Sequence, residues 1–157
     1  MAKEHHYTVT VEWTGNRGTG TSGYRAYGRE HVITAGSKAP IAGSSDPAFR
    51  GDAGRWNPEE LLVASLSACH KLWYLHLCAD AGIAVVAYRD DASGTMVEDA
   101  AGGGQFSRVV LRPLVTVQAG NDADLALRLH RDAHAKCYVA GSVNFPVLVE
   151  AVVEREG

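Results

Sequence analysis

The chain has 157 residues, a formal net charge of −3, 46 % apolar and 21 % charged residues. That composition suits one ordinary globular domain and excludes disordered and fibrous classes. With a mild negative charge and no basic stripe, neither nucleic acid nor an anionic membrane surface is an expected partner. Met1 to His6 is polar and lacks the apolar segment of a signal peptide. The most apolar stretch, Leu61 to Ala81, carries His70, Lys71, His76 and Asp80, too many polar groups for a membrane span. A cytoplasmic location is therefore expected, where thiols stay reduced. Three cysteines then read as a functional thiol or a metal site sooner than as a staple.

Tyr7 to Trp13 alternates polar and apolar residues and is rich in β-branched types, which predicts a strand. A turn at Thr14 to Gly18 follows, and Ser22–Tyr27 and Glu30–Thr34 read as a further pair of strands. From Gly36 to Arg55 the pattern dissolves into Gly, Ser, Pro, Asp and Arg, and a loop that long in a small domain is often functional. The next helix start is the clearest in the chain. Asn57 is placed to cap free N–H groups, Pro58 suits the first helical position, and Glu60 completes a capping box. This helix is expected to reach Ala81 and stop at Gly82. Leu61, Leu62, Val63, Leu66, Leu72, Trp73, Leu75 and Leu77 cover nearly every face, so it should be buried all round. Ala84–Thr95 and Phe106–Val117 read as strands on either side of the flexible Ala101 to Gly104. Asn121 and Asp124 open an amphipathic helix running to about Tyr138, and Val143–Glu154 closes the chain as a strand. No repeat or linker divides the sequence, so one domain over residues 1–157 is expected. The order of elements predicts an α+β fold with largely antiparallel pairing.

Cys69 lies in the middle of the apolar helix. A buried free cysteine is common core filler, and the small Ser65, Ser67 and Ala68, the adjoining His70 and the long upstream loop put a reactive thiol on an equal footing with packing. Cys78 stands nine residues further on, ~13 Å along the helix. That is too far for a disulfide with Cys69, so Cys78 reads as packing. Cys137 ends the second helix beside Lys136, at a position suited to a thiol that a reductant must reach. The dipole there is negative and does not lower a thiol pKa. His130, His134 and Cys137, spaced four and three apart, share one helix face. They constitute either a candidate zinc site, with Cys69 or His70 as a fourth ligand, or simply the wet side of the helix.

Asn57-Pro58-Glu59-Glu60-Leu61-Leu62, followed by Ser65-Leu66-Ser67-Ala68-Cys69 and a later helical cysteine at Cys137, resembles the OsmC/Ohr family of organic hydroperoxide reductases. The resemblance extends over nearly the whole chain. It implies an OsmC-like fold, in which largely antiparallel sheets wrap a buried central helix, and an intertwined homodimer with sites at the subunit interface. It implies Cys69 as the peroxidatic and Cys137 as the resolving cysteine, with Glu59 as the active-site glutamate. The activating arginine should come from the preceding loop, where Arg50 is the best positional match and Arg55, Arg25 and Arg17 are alternatives. It also implies an organic hydroperoxide substrate and a lipoyl-type dithiol reductant, with no metal, haem or flavin cofactor. Two departures stand out: Tyr138 where the family often has proline, and His70 where it often has an aromatic residue. Glu59 and Cys69 are ten residues apart, ~15 Å along one helix, so a site that uses both calls for a second subunit. The rival readings are a Cys/His metal-binding protein and a non-catalytic domain that holds a small apolar ligand.

Overall fold

The structure is a computed structural model that describes all 157 residues. It contains nine strands and two α-helices, in the order β1 (Thr10–Trp13), β2 (His31–Thr34), β3 (Ile41–Gly43), α1 (Pro58–Asp80), β4 (Val85–Asp90), β5 (Ser93–Glu98), β6 (Gly104–Leu111), β7 (Pro113–Val117), α2 (Ala123–Lys136), β8 (Val147–Val149) and β9 (Val152–Arg155). The strands form three three-stranded sheets, ordered β1-β2-β3, β4-β7-β9 and β5-β6-β8. Four of the six pairings are antiparallel, and only β6-β8 and β7-β9 are parallel. The α+β class and the largely antiparallel sheets are as the sequence predicts.

Residues 1–61 and 62–157 form two compact units. In the first, β1 pairs with β2 through Thr10 opposite Thr34 and Trp13 opposite His31. Ser22–Tyr27 is a series of turns rather than a strand. Arg29 explains why: its guanidinium donates to the carbonyls of Tyr27 and Tyr24 and lies over both rings, so the segment curls around one cation. The long loop holds structure that its composition hides, namely β3 and a 3₁₀ turn at Pro47–Phe49 capped by Asp46.

The second unit holds the two hydrophobic clusters. Tyr74, Cys78, Ile83, Val115, Val117, Ala126, Leu129 and Ala133 form one, and Leu66, Val109, Leu111 and Val147 the other. Two predicted strands each divide into two. Ala84–Thr95 breaks after Asp90, whose carboxylate accepts from the Arg112 backbone N–H at 2.6 Å. Phe106–Val117 breaks at that same Arg112. Each half then joins a different sheet, a choice no local pattern encodes. The closing Val143–Glu154 segment likewise divides into β8 and β9.

Both helices start and stop for local reasons. At the α1 start, the Glu60 N–H donates to Asn57 Oδ1 at 2.8 Å and the Asn57 N–H to Glu60 Oε2 at 3.1 Å, the reciprocal capping box. At its end Gly82 adopts φ 72°, with Ile83 N–H donating to Cys78 O and Gly82 N–H to Ala79 O. That double bond is a Schellman termination, and its left-handed residue favours glycine. The cap of α2 is Asp122, which accepts from Leu125 N–H at 2.9 Å, rather than Asn121 or Asp124.

Within its own chain α1 is not buried all round. Leu66, His70, Tyr74 and Cys78, four residues apart, form its one buried face, while Leu72 is 63 % exposed. No helix is long and apolar enough to cross a membrane.

Candidate thiol site

Cys69 lies beside the buried face of α1 and is partly exposed, whereas Cys137, the residue that ends α2, is 4 % exposed. The sequence predicts an accessible Cys137 because it ends a helix. The following 3₁₀ turn, Ala140–Ser142, instead folds back, with Ala140 N–H donating to Cys137 Sγ at 3.5 Å. Both thiols are free and are neighbours. Burial above all, and the adjacent Cys69 thiol next, push the Cys137 thiol up to about 11. At neutral pH Cys137 is therefore protonated, and the more exposed partner of the pair is Cys69. Cys78, 1 % exposed, is core filler as expected.

Beneath the thiols lies a feature that the sequence reading missed. His70 Nε2 and His130 Nδ1 are 2.9 Å apart, joining α1 to α2 in the interior. His70 is 1 % and His130 4 % exposed. The His130 ring also stacks on Tyr74, centroid to centroid 3.8 Å. Desolvation, with lesser repulsion from His134, lowers His70 to about 4 even though Asp90 favours its charged form. Desolvation and His70 lower His130 to about 3. Both rings are thus neutral, one donating and the other accepting. His70 Nδ1 and His130 Nε2, the outer nitrogens, have no partner. The Tyr74 hydroxyl has no hydrogen-bond partner, with Cys78 and Tyr88 as its neighbours. Near this row, Ser67 Oγ donates to Asp90 Oδ2 at 2.5 Å. A signal for the pair existed in the spacing. Ala126, Leu129, Ala133 and Cys137 mark the inner face of α2, and His130 falls on it.

The outer rim of the thiol pair is aromatic. Trp73, one turn after Cys69, meets Tyr138, the residue after Cys137, edge to face at 5.7 Å, and Lys136 Nζ lies 5.6 Å from the Trp73 ring. Leu72, Trp73 and His76 line a shallow groove of about 250 Å³ alongside. The departure at Tyr138 therefore contributes a wall to this rim, and the departure at His70 contributes the buried bond.

The other predicted site residues belong to the first unit. Glu59 is half-buried in the first turn of α1. Arg50 is exposed, takes a left-handed φ of 64° after the 3₁₀ turn, and lies 5.9 Å from the Tyr24 ring. Arg55 pairs with Asp52 at 3.6 Å, and Arg25 and Arg17 are exposed. Both readings of His130, His134 and Cys137 need correction. His130 and Cys137 are buried rather than on a wet face. His130 turns to His70 and Cys137 to Cys69, and no three His, Cys, Asp or Glu side chains gather in metal-binding geometry.

Comparison with known proteins agrees with this architecture. A structure of an OsmC-like protein of unknown function from Vibrio cholerae O1 biovar eltor matches with a TM-score of 0.86 at 26 % identity, over 95 % of this chain and 100 % of that one. An organic hydroperoxide resistance protein from Elizabethkingia anophelis matches with a TM-score of 0.70 at 18 % identity, over 99 % and 100 % of the two chains. The organic hydroperoxide resistance protein OhrB of Bacillus subtilis gives 0.61 at 19 %, over 96 % and 98 %. No curated protein sequence matches the chain. The sequence pattern of the OsmC-like protein family matches residues 51–151, almost two thirds of the molecule and all of the thiol-bearing unit's core. By that match and by its fold, the chain belongs to the OsmC-like family.

Proposed function

We propose that the protein is a thiol peroxidase that reduces organic hydroperoxides to alcohols through Cys69. The observation that carries this reading is the asymmetric thiol pair, a partly exposed Cys69 in contact with a buried, protonated Cys137. Two structural neighbours named for organic hydroperoxide resistance support it.

In the proposed cycle the Cys69 thiolate attacks the terminal peroxide oxygen, the S–O bond forms as the O–O bond breaks, and Cys69 becomes a sulfenic acid while the alkoxide takes a proton and departs as alcohol. Cys137 then attacks the Cys69 sulfur. Its proton leaves with the sulfenic hydroxyl as water, and the Cys69–Cys137 disulfide forms. A dithiol of the lipoyl type reopens that bond by exchange and is itself oxidised to a disulfide. Arg50 is proposed to stabilise the thiolate and the departing alkoxide, and Glu59 to orient that guanidinium. A carboxylate acting directly on the sulfur would instead raise its pKa. Ten residues of helix between Glu59 and Cys69 amount to ~15 Å, which is why the reading includes a homodimer with shared sites. The aromatic rim of Trp73 and Tyr138 favours bulky organic hydroperoxides over hydrogen peroxide. The cycle calls on no metal or other cofactor.

The test is consumption of cumene hydroperoxide with dihydrolipoamide as reductant. Cys69→Ser is expected to abolish turnover, and equal rates for wild type and variant end the proposal.

A further inference from the structure

We infer that His70 and His130 are positioning residues for disulfide formation, a buried imidazole–imidazole bond that holds α2 in the register that keeps Cys137 against Cys69. The inference rests on the peroxidase reading for its biological purpose but not for its geometry.

Four observations carry it. His70 is the residue after Cys69 on α1, and His130 lies seven residues, two turns, before Cys137 on α2. Their 2.9 Å contact is a buried side-chain hydrogen bond joining the two helices. Hydrocarbon packing along the seam comes from Tyr74, Cys78, Ala126, Leu129 and Ala133. Apolar attraction is non-directional, whereas a hydrogen bond between two ring nitrogens has a preferred distance and angle. Finally, the pair leaves buried nitrogens unpartnered at both outer ends, His70 Nδ1 and His130 Nε2. Such groups cost stability, so two apolar residues would serve the core better. Buried polar pairs that lower stability are best attested as devices that fix register.

Register matters here because two reactions compete for the sulfenic acid. In one, Cys69–SOH and Cys137–SH give the disulfide and water. In the other, a second hydroperoxide oxidises Cys69–SOH to sulfinic acid and is reduced to alcohol. The first is intramolecular, and its advantage depends on how closely the geometry holds the two sulfurs together. A helix shift of one ångström costs the intramolecular route and leaves the intermolecular one unchanged.

The experiment compares wild type, His130→Leu, His130→Phe and His130→Gln. The leucine variant deletes the bond, the phenylalanine variant deletes it but keeps the stack on Tyr74, and the glutamine variant keeps a donor and acceptor for His70. The first readout is the equilibrium between the dithiol and the Cys69–Cys137 disulfide in dithiothreitol redox buffers, which needs no peroxide. The expected result is a tenfold or greater fall in effective thiol concentration for Leu and Phe, with recovery towards wild type in Gln. The second readout is the ratio of disulfide to sulfinic acid at Cys69 after cumene hydroperoxide, by peptide mass spectrometry. That ratio should fall in parallel, with the initial rate of Cys69 oxidation unchanged within twofold. Wild-type effective concentration in folded Leu and Phe variants overturns the inference, and so does the loss of folding in both. If wild-type Cys69 ignores the hydroperoxide while the redox-buffer result holds, the peroxidase reading fails and the register assignment stands.

Discussion

Acidification is the perturbation for which the buried histidine pair makes the sharpest demand. In the unfolded chain each imidazole titrates near its ordinary 6.5, but folding lowers His70 to about 4 and His130 to about 3. Between those limits the unfolded state binds protons that the folded state refuses, so stability is intact above pH 6.5 and is lost as pH falls. At pH 5 each histidine should have cost about 2 kcal/mol relative to pH 8, or about 4 kcal/mol for the pair, at a limiting slope of about 1.4 kcal/mol per pH unit per group. Asp90 on β4 favours a charged His70, His134 on α2 opposes it, and Tyr74 and Tyr88 are held neutral by burial. A loss of that size is a large part of the 5–15 kcal/mol typical of a domain. Urea unfolding followed by far-ultraviolet circular dichroism at pH 8, 7, 6 and 5 measures it directly. His130→Gln should remove about half of the slope. A midpoint that stays flat from pH 7 to pH 5, or a glutamine variant whose slope parallels wild type, refutes the assignment of two buried neutral imidazoles.

Other substitutions check separate parts of the structure. Cys137→Ser should leave the first oxidation of Cys69 intact and convert Cys69 to sulfinic acid after two equivalents of organic hydroperoxide, read by peptide mass; an unchanged product pattern would remove Cys137 from the cycle. Leu66→Ala empties a fully buried position among Val109, Leu111 and Val147 and should cost about 3 kcal/mol in urea unfolding. Asp122→Ala removes the acceptor for Leu125 N–H at the α2 start and should cost about 1 kcal/mol, with Asp122→Asn close to neutral. Gly82→Ala forces a side chain into the left-handed turn that ends α1 and should lower stability by about 1 kcal/mol.

The start of α1 was legible because everything that fixes it lies within four residues: Asn57 and Glu60 make their capping bonds with each other, and Pro58 fills the first helical position. The family was legible for a related reason, since Asn57 to Leu62 and Ser65 to Cys69 lie close together in the chain. Tertiary packing decided the rest. A strand-like run from Ala84 to Thr95 cannot reveal that it breaks beside Asp90 and joins two sheets, because the partner group is the Arg112 backbone, more than twenty residues away. The Ser22–Tyr27 segment has strand-forming residues but is organised by Arg29 beneath its rings.

The thiol site divides in the same way. Composition and spacing singled out Cys69 and Cys137 and set Cys78 aside by the length of a helix. The burial of Cys137 depends on the turn at Ala140–Ser142 folding back over it, and the neutrality of His70 and His130 depends on each ring losing water to the other helix. The chain by itself determined the family motif, the candidate thiols and where α1 begins and ends, since those are fixed by side-chain type and short-range bonds. Which thiol faces solvent, and which histidines are partners, is fixed by contacts between α1 and α2 sixty residues apart, and only folding brings those into range.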